Sequence, residues 1–165
     1  MGGGFCKAPY DHVTDFLRGS KGGMLDMLRN KDKLLATIDR VGDILLQGVV
    51  AETRAGGTPY VFIPLHWGLD GFMSPQNFDT FYWPGLRKIM LRLIDRHRVS
   101  HMHIVPTMFV RMLKLPDERR LRYDLSSMKV AVHAAAPCPI DVKREMIAWW
   151  GDAIEEYYAG SEGNG

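Results

Sequence analysis

Between Leu34 and Val50 the apolar residues Leu34, Leu35, Ile38, Val41, Leu45, Leu46, Val49 and Val50 recur at intervals of three, four and seven. That spacing places them on one stripe of a helix and predicts an amphipathic helix from Asn30, a candidate N-cap, to about Arg54. Gly56-Gly57-Thr58-Pro59 ends it, and Tyr60 to Leu65 reads as a buried strand. Before it, residues 2–8 form a short strand, Asp11 to Leu17 a short helix stopped by Gly19, Gly22 and Gly23, and Met24 to Leu28 another helical piece. After it, Ser74-Pro75 is an N-cap with proline at the first helical position. Phe78, Phe81, Tyr82, Leu86, Ile89, Met90, Leu93 and Ile94 then make an apolar face that Pro84 kinks or splits.

The second part repeats strand and helix. Met102–Val105, Lys129–Ala134 and Ala153–Tyr157 read as strands; Thr107–Leu115 and a segment opened by Pro139, with Val142, Met146, Ile147 and Trp150 on one side, read as helices. Pro116 to Ser127 is charged and reads as loop. Alternating strands and helices give an α/β class, which by itself carries no function.

Composition narrows this. At 46% hydrophobic and 24% charged, the 165 residues are those of a folded chain. The net charge of +2, from 21 basic and 19 acidic residues, offers no footprint for nucleic acid, and the basic run Arg87 to Arg98 reads as a solvated helix face. Cys6 and Cys138 lack the spacing of a disulfide framework or zinc site, which fits a reducing cytoplasm. No secretory leader is visible at Met1-Gly2-Gly3-Gly4, and no apolar run approaches the roughly 20 residues of a membrane span.

Four groups of residues bear on chemistry. Asp11 and Asp15 share a helical face and suit a metal or polar substrate, or the capping of a short helix. His66, with Asp70, follows the strand 60–65, where a parallel fold builds its sites; it suits a general base or substrate contact, or a local backbone bond. His101 and His103 point the same way on a strand but lack a third metal ligand. Tyr158-Ala159-Gly160-Ser161-Glu162-Gly163 combines small residues, a hydroxyl and a carboxylate, the parts of a nucleotide contact or of a surface turn.

Two resemblances organise these pieces. Ala8 to Ser20, Phe62-Ile63-Pro64-Leu65-His66-Trp67-Gly68, Met73 to Phe78 and Tyr82-Trp83-Pro84 resemble the uroporphyrinogen decarboxylase superfamily over residues 1–95. This implies a (β/α)₈ barrel fragment, decarboxylation or methyl transfer, and a tetrapyrrole or methyl-donor substrate met by Asp15 and His66. The family's amino-terminal substrate arginines and late histidine have no counterpart here. His97 to His101, Val105 to Phe109, Tyr123 to Ser127, His133 to Pro139 and Glu156 to Gly163 resemble the AMP-binding, adenylate-forming acyl-CoA synthetases over residues 96–165. That implies a fragment of their N-terminal α/β domain. Ala135, Ala136 and Pro137 would line the adenine site, Tyr158 would stack on adenine, Ser161 would touch the α-phosphate and Glu162 would hold Mg²⁺. ATP or AMP, an acyl chain and CoA would be the ligands. The phosphate loop and the catalytic lysine have no counterpart. The expectation is a truncated fusion joined near Arg96 and not fully active alone. The alternatives are an AMP- or ATP-binding remnant of a fatty acid–CoA ligase and a non-catalytic interaction module that associates through unpaired strand edges.

Overall fold

The computed structural model describes residues 4–57, 59–68, 71–134, 136–157, 159–160 and 163–164. They divide into two compact units, Met1–Met90 and Leu91–Gly165.

In the first unit β1 (Gly4–Phe5) leads to α1 (Pro9–His12), which continues as a π-helical turn, Val13–Arg18. Gly19 breaks the chain direction at φ 73°, and α2 (Ser20–Arg29) and α3 (Lys31–Gly56) follow. β2 (Val61–Phe62), α4 (Pro75–Asn77), a second π-helical turn (Phe78–Tyr82) and α5 (Trp83–His97) complete it, the boundary between units falling within α5. α3 buries Leu34, Ile38, Val41, Leu46 and Val49, the stripe its spacing predicts. Close approach needs two glycines: a Cβ on Gly85 would lie 3.1 Å from both Ile38 and Pro9, and one on Gly42 3.3 Å from Pro9. At the predicted cap, Ser74 Oγ accepts from the Asn77 amide.

Several expectations change here. Gly22 and Gly23 do not stop a helix; they lie inside α2, where a Cβ on Gly23 would sit 2.5 Å from Thr14 Cγ2. Asn30 makes no side-chain cap; its amide nitrogen donates to Asp26 instead, at 2.8 Å. The segment 60–65 is not a buried strand. Only Val61 and Phe62 pair, in parallel with Gly4 and Phe5, and Tyr60, Phe62 and Leu65 are exposed. A parallel strand is buried when neighbours and helices cover both faces. Here α3 backs one face of a two-stranded pair. The barrel wall expected for residues 1–95 is therefore absent from the described residues.

The second unit is an α/β layer. β3 (His101–Ile104), β4 (Val130–His133) and β5 (Ile154–Glu156) lie in the order 3-4-5, all parallel. α6 (Pro106–Leu113) and the four-residue α7 (Asp117–Arg120) connect β3 to β4. α8 (Ile140–Trp150) and a 3₁₀ turn (Gly151–Ala153) connect β4 to β5. Pro139 stands one residue before α8, not at its first position, and Gly151 ends the helix at φ 70°. Two strand–helix–strand units in succession place consecutive strands side by side. Ala131, His133, Phe109, Met112 and Met146 are fully enclosed, so the core lies between β4 and the pair α6–α8. A two-residue antiparallel pair, β6 (Ala159–Gly160) and β7 (Gly163–Asn164), closes the chain.

Tyr123-Asp124-Leu125-Ser126-Ser127 is a tether. Asp95 accepts from the Asp124 amide at 2.9 Å, Ser127 Oγ donates to the Val99 carbonyl at 2.9 Å, and Arg98 bonds Asp124 and Ser126. Arg98 takes φ 55°, a left-handed turn past the end of α5 that a branched residue would resist.

Candidate functional site

In the first unit the polar chemistry gathers on Asp11. It has no exposed surface and accepts from the His66 amide at 2.8 Å, the Trp67 amide at 2.9 Å and the Tyr82 hydroxyl at 2.7 Å. Burial raises its pKa above the usual carboxylate range, against the lowering effect of those donors, and the neighbouring Asp15 adds to the rise. The loop 66–68 is thereby fastened to the start of α1. Gly68 is required there, because a Cβ would lie 2.9 Å from ring atoms of Phe78 and Tyr82.

Asp15 sits beside it. Its Oδ1 accepts from Trp67 Nε1 at 2.7 Å, and its Oδ2 faces Lys7 Nζ and, at 3.2 Å, His66 Nδ1. Partial burial opposes ionisation. The bonds from Lys7, Trp67 and His66, with the Lys7 charge, outweigh it and hold Asp15 at about 2. His12, on the same face, is lowered by burial and by Lys7, with Asp15 opposing. Asp11 and Asp15 thus do share a side of the chain, but as a buried pin and a half-covered acceptor. Asp70, paired with His66 in the sequence reading, lies outside the described residues.

In the second unit the carboxyl ends of β3, β4 and β5 point the same way, since the sheet is parallel. The Ala134–Pro139 loop leaves β4 at His133, and the segment from Tyr157 leaves β5 at Glu156, the residue registered against His133. The Tyr157 amide donates to the His133 carbonyl at 3.0 Å. The two segments that carry the nucleotide-like residues therefore start side by side, at the sheet end where α/β folds place ligands. Of those residues, Ala136 and Pro137 are described, at the rim; Ala135, Tyr158, Ser161 and Glu162 lie outside the described residues. At this rim Lys143 Nζ pairs with Glu156 at 2.5 Å, which lowers the Glu156 pKa.

His101 and His103 are both exposed on β3, as the strand alternation requires, and His101 Nδ1 lies 2.8 Å from Ser100 Oγ. Among the described residues no group of three or more His, Cys, Asp or Glu is placed to hold a metal. Cys6 is enclosed and its thiol is pushed up to about 12 by burial and by Glu52, which disfavours the thiolate.

The sequence reading missed the state of His133. The residue has no exposed surface, its ring meets Phe109 edge-on at 5.5 Å, and neither ring nitrogen has a partner among the described residues. Trp150 Nε1, across Phe109, is also unpartnered. The signal available was a histidine in register with apolar Ala131 on a strand face that must be buried. Burial lowers the His133 pKa; Glu156 counters this and Lys143 reinforces it. As pH falls below the ordinary imidazole value of 6.5, the unfolded chain takes up a proton before the folded one does, so stability is lost on the acid side. His133→Leu is expected to raise unfolding stability by about 1 kcal/mol, by removing an unbonded polar ring, and to flatten that acid limb. Urea titrations at several pH values measure both; a loss of stability would mean the ring is bonded.

The AMP-binding enzyme family matches residues 43–165. The chain belongs to that family. Among curated proteins, it is 31% identical to the long-chain-fatty-acid–CoA ligase of Bacillus subtilis (strain 168) over 116 residues, 68% of this chain and 20% of the ligase. It is 35% identical to the mitochondrial medium-chain acyl-CoA ligase ACSF2 of Danio rerio over 57 residues, 34% of this chain and 9% of that protein. Among solved structures, the amide bond synthetase McbA from Marinactinospora thermotolerans aligns with 71% of this chain and 20% of its own, at 19% identity and a TM-score of 0.44. The chain spans between 9% and 20% of the length of the curated relatives it matches. No helix among the described residues is long and apolar enough to cross a membrane.

Proposed function

We propose that residues 96–165 are the adenine-side portion of a fatty acid–CoA ligase of the adenylate-forming type, able to bind ATP or AMP with Mg²⁺ but not to complete a turnover alone. The observation that carries this is the parallel sheet β3–β4–β5, whose carboxyl end gives rise to both the Ala134–Pro139 and the Tyr157–Gly163 segments. The residues present fit a nucleotide in one respect: registering Glu156 against His133 brings the starts of the two segments together at one rim. Small Ala135 and Ala136 with Pro137 would line the base, Tyr158 would stack on it, Ser161 would meet the α-phosphate and Glu162 the Mg²⁺. In such an enzyme ATP activates a carboxylate for capture by CoA. The names of the relatives support an acyl chain and CoA as the substrates of the whole protein.

Isothermal calorimetry with ATP and Mg²⁺ tests the reading. Weak binding is expected, reduced about fivefold or more in Glu162→Ala, the loss of one charge-assisted ligand contact. Equal heats for both proteins would remove it. Turnover of a fatty acid with ATP and CoA would overturn the incomplete state.

A second reading concerns the first unit. The sequence also offers a fusion joined near Arg96, whose first part derives from the uroporphyrinogen decarboxylase superfamily; neither the family match nor the relatives found support it. Asp15 and His66 would then contact its substrate. The AMP-binding match begins at residue 43 and so crosses that joint, which weighs for a single origin of most of the chain. Sequencing the genomic locus across residues 85–105 separates the two.

A further inference from the structure

We propose that Asp15 and His66 form an imidazole–carboxylate dyad at the surface of the first unit, and that His66 Nε2 accepts acyl groups from activated esters. The inference goes beyond both readings above, since neither requires an acyl acceptor in this unit.

Three features of the geometry support it. First, the His66 backbone is fixed: its amide and that of Trp67 are bonded to the enclosed Asp11. Second, the ring is aimed. Its Nδ1 lies 3.2 Å from Asp15 Oδ2, and its ring lies tilted at 47° to the Trp67 ring with centroids 5.0 Å apart. Asp15 is in turn held by Trp67 Nε1 and Lys7. An ionised carboxylate only accepts, so the proton of the neutral ring belongs on Nδ1 and the lone pair on Nε2. Third, Nε2 is accessible: the His66 side chain is 58% exposed, against 16% for Asp15, and no described residue bonds to Nε2. A base oriented by a buffered carboxylate, with its second nitrogen open, is the arrangement by which proteins make imidazole reactive. Asp15 with Lys7, and Asp11 with Tyr82, are ionisable groups bonded to His66 or to the carboxylates that hold it.

The step balances without a further reagent. Nε2 attacks the carbonyl carbon of an aryl ester, the C–O bond to the aryl oxygen breaks, and the phenolate leaves with the electron pair. The acylimidazolium is stabilised by Asp15 at Nδ1. Water then attacks the acyl carbon, the C–N bond breaks back to Nε2, and carboxylate and protons pass to solvent.

p-Nitrophenyl acetate is the probe. The full chain is compared with His66→Gln, Asp15→Asn and, as a control, His101→Gln, an exposed histidine of the other unit. Phenolate release is expected to fall about tenfold in His66→Gln and about threefold in Asp15→Asn, within the range of positioned acid–base groups, with His101→Gln unchanged. ¹⁵N NMR of the wild-type ring at alkaline pH gives a second readout that needs no variant, with the proton expected on Nδ1. A wild-type rate no greater than that of equimolar free imidazole, an unaltered rate in His66→Gln or Asp15→Asn, or a ring proton on Nε2 would overturn the proposal.

Discussion

Asp11→Ala is expected to destabilise the first unit by about 3 kcal/mol or more. The substitution removes one side chain but strands three donors: the enclosed Tyr82 hydroxyl and the part-buried amides of His66 and Trp67. Each buried donor without an acceptor costs roughly 1–3 kcal/mol. Water can reach the two amides more easily than the hydroxyl, which keeps the sum near the lower end. Asp11→Asn should cost less, because its amide oxygen still accepts, yet its NH₂ must then face a donor. Native-state hydrogen exchange of the His66 and Trp67 amides, with β4 amides of the second unit as internal reference, reads the effect where it arises. A change below about 1 kcal/mol, hardly more than one ordinary hydrogen bond contributes, would mean that the loop 66–68 is held by packing alone.

Phe109→Ala is expected to cost the second unit about 3–4 kcal/mol, in the usual range for truncating an enclosed phenylalanine. Phe109 has no exposed surface and lies edge-on to both His133 and Trp150. Its removal leaves a hollow between β4, α6 and α8. The hollow would not be wholly apolar, since His133 and Trp150 bring unbonded nitrogens to it. Water entering there would bond those groups and spare part of the cost. Two measurements distinguish the contributions: the urea midpoint gives the net loss, and ring NMR of His133 follows its titration. In the variant the imidazole should titrate closer to its ordinary value; if it stays low, the hollow is dry and the loss should lie at the upper end.

The parts of this fold legible in the sequence are those in which local pattern and burial agree. α3 shows its stripe because one helix face packs for its whole length. β3, β4 and β5 show because short strand-like segments alternate with helices. The Ser74–Pro75 start is legible because its capping bond spans only three residues. Elsewhere local pattern and tertiary context disagree. Gly22 and Gly23 have the composition of a helix stop, but the missing Cβ of Gly23 makes room for Thr14 and that of Gly22 for Arg18, both from outside the helix. Tyr60 to Leu65 is as apolar as a buried strand, yet among the described residues no second layer covers it. The Asp11–Asp15 spacing joined the two on one side, while His66, Trp67 and Tyr82, the partners that distinguish a buried pin from a part-buried acceptor, lie far along the chain. Residue types alone left Tyr158 to Gly163 open between a nucleotide contact and a surface turn, and only the family resemblance favours the first; periodicity located the strands that lead there and nothing of their chemistry.

The partners of Asp11 bear on the order of assembly. His66 lies 55 residues and Tyr82 71 residues beyond it. Closing a loop of that length costs entropy that no local contact repays in advance. α3, whose bonds span single turns, forms quickly and shortens the path between the two ends. Asp11 can gain its full set of donors only once these distant segments are brought back to α1. During synthesis Asp11 stays without its third donor at least until Tyr82 has left the ribosome.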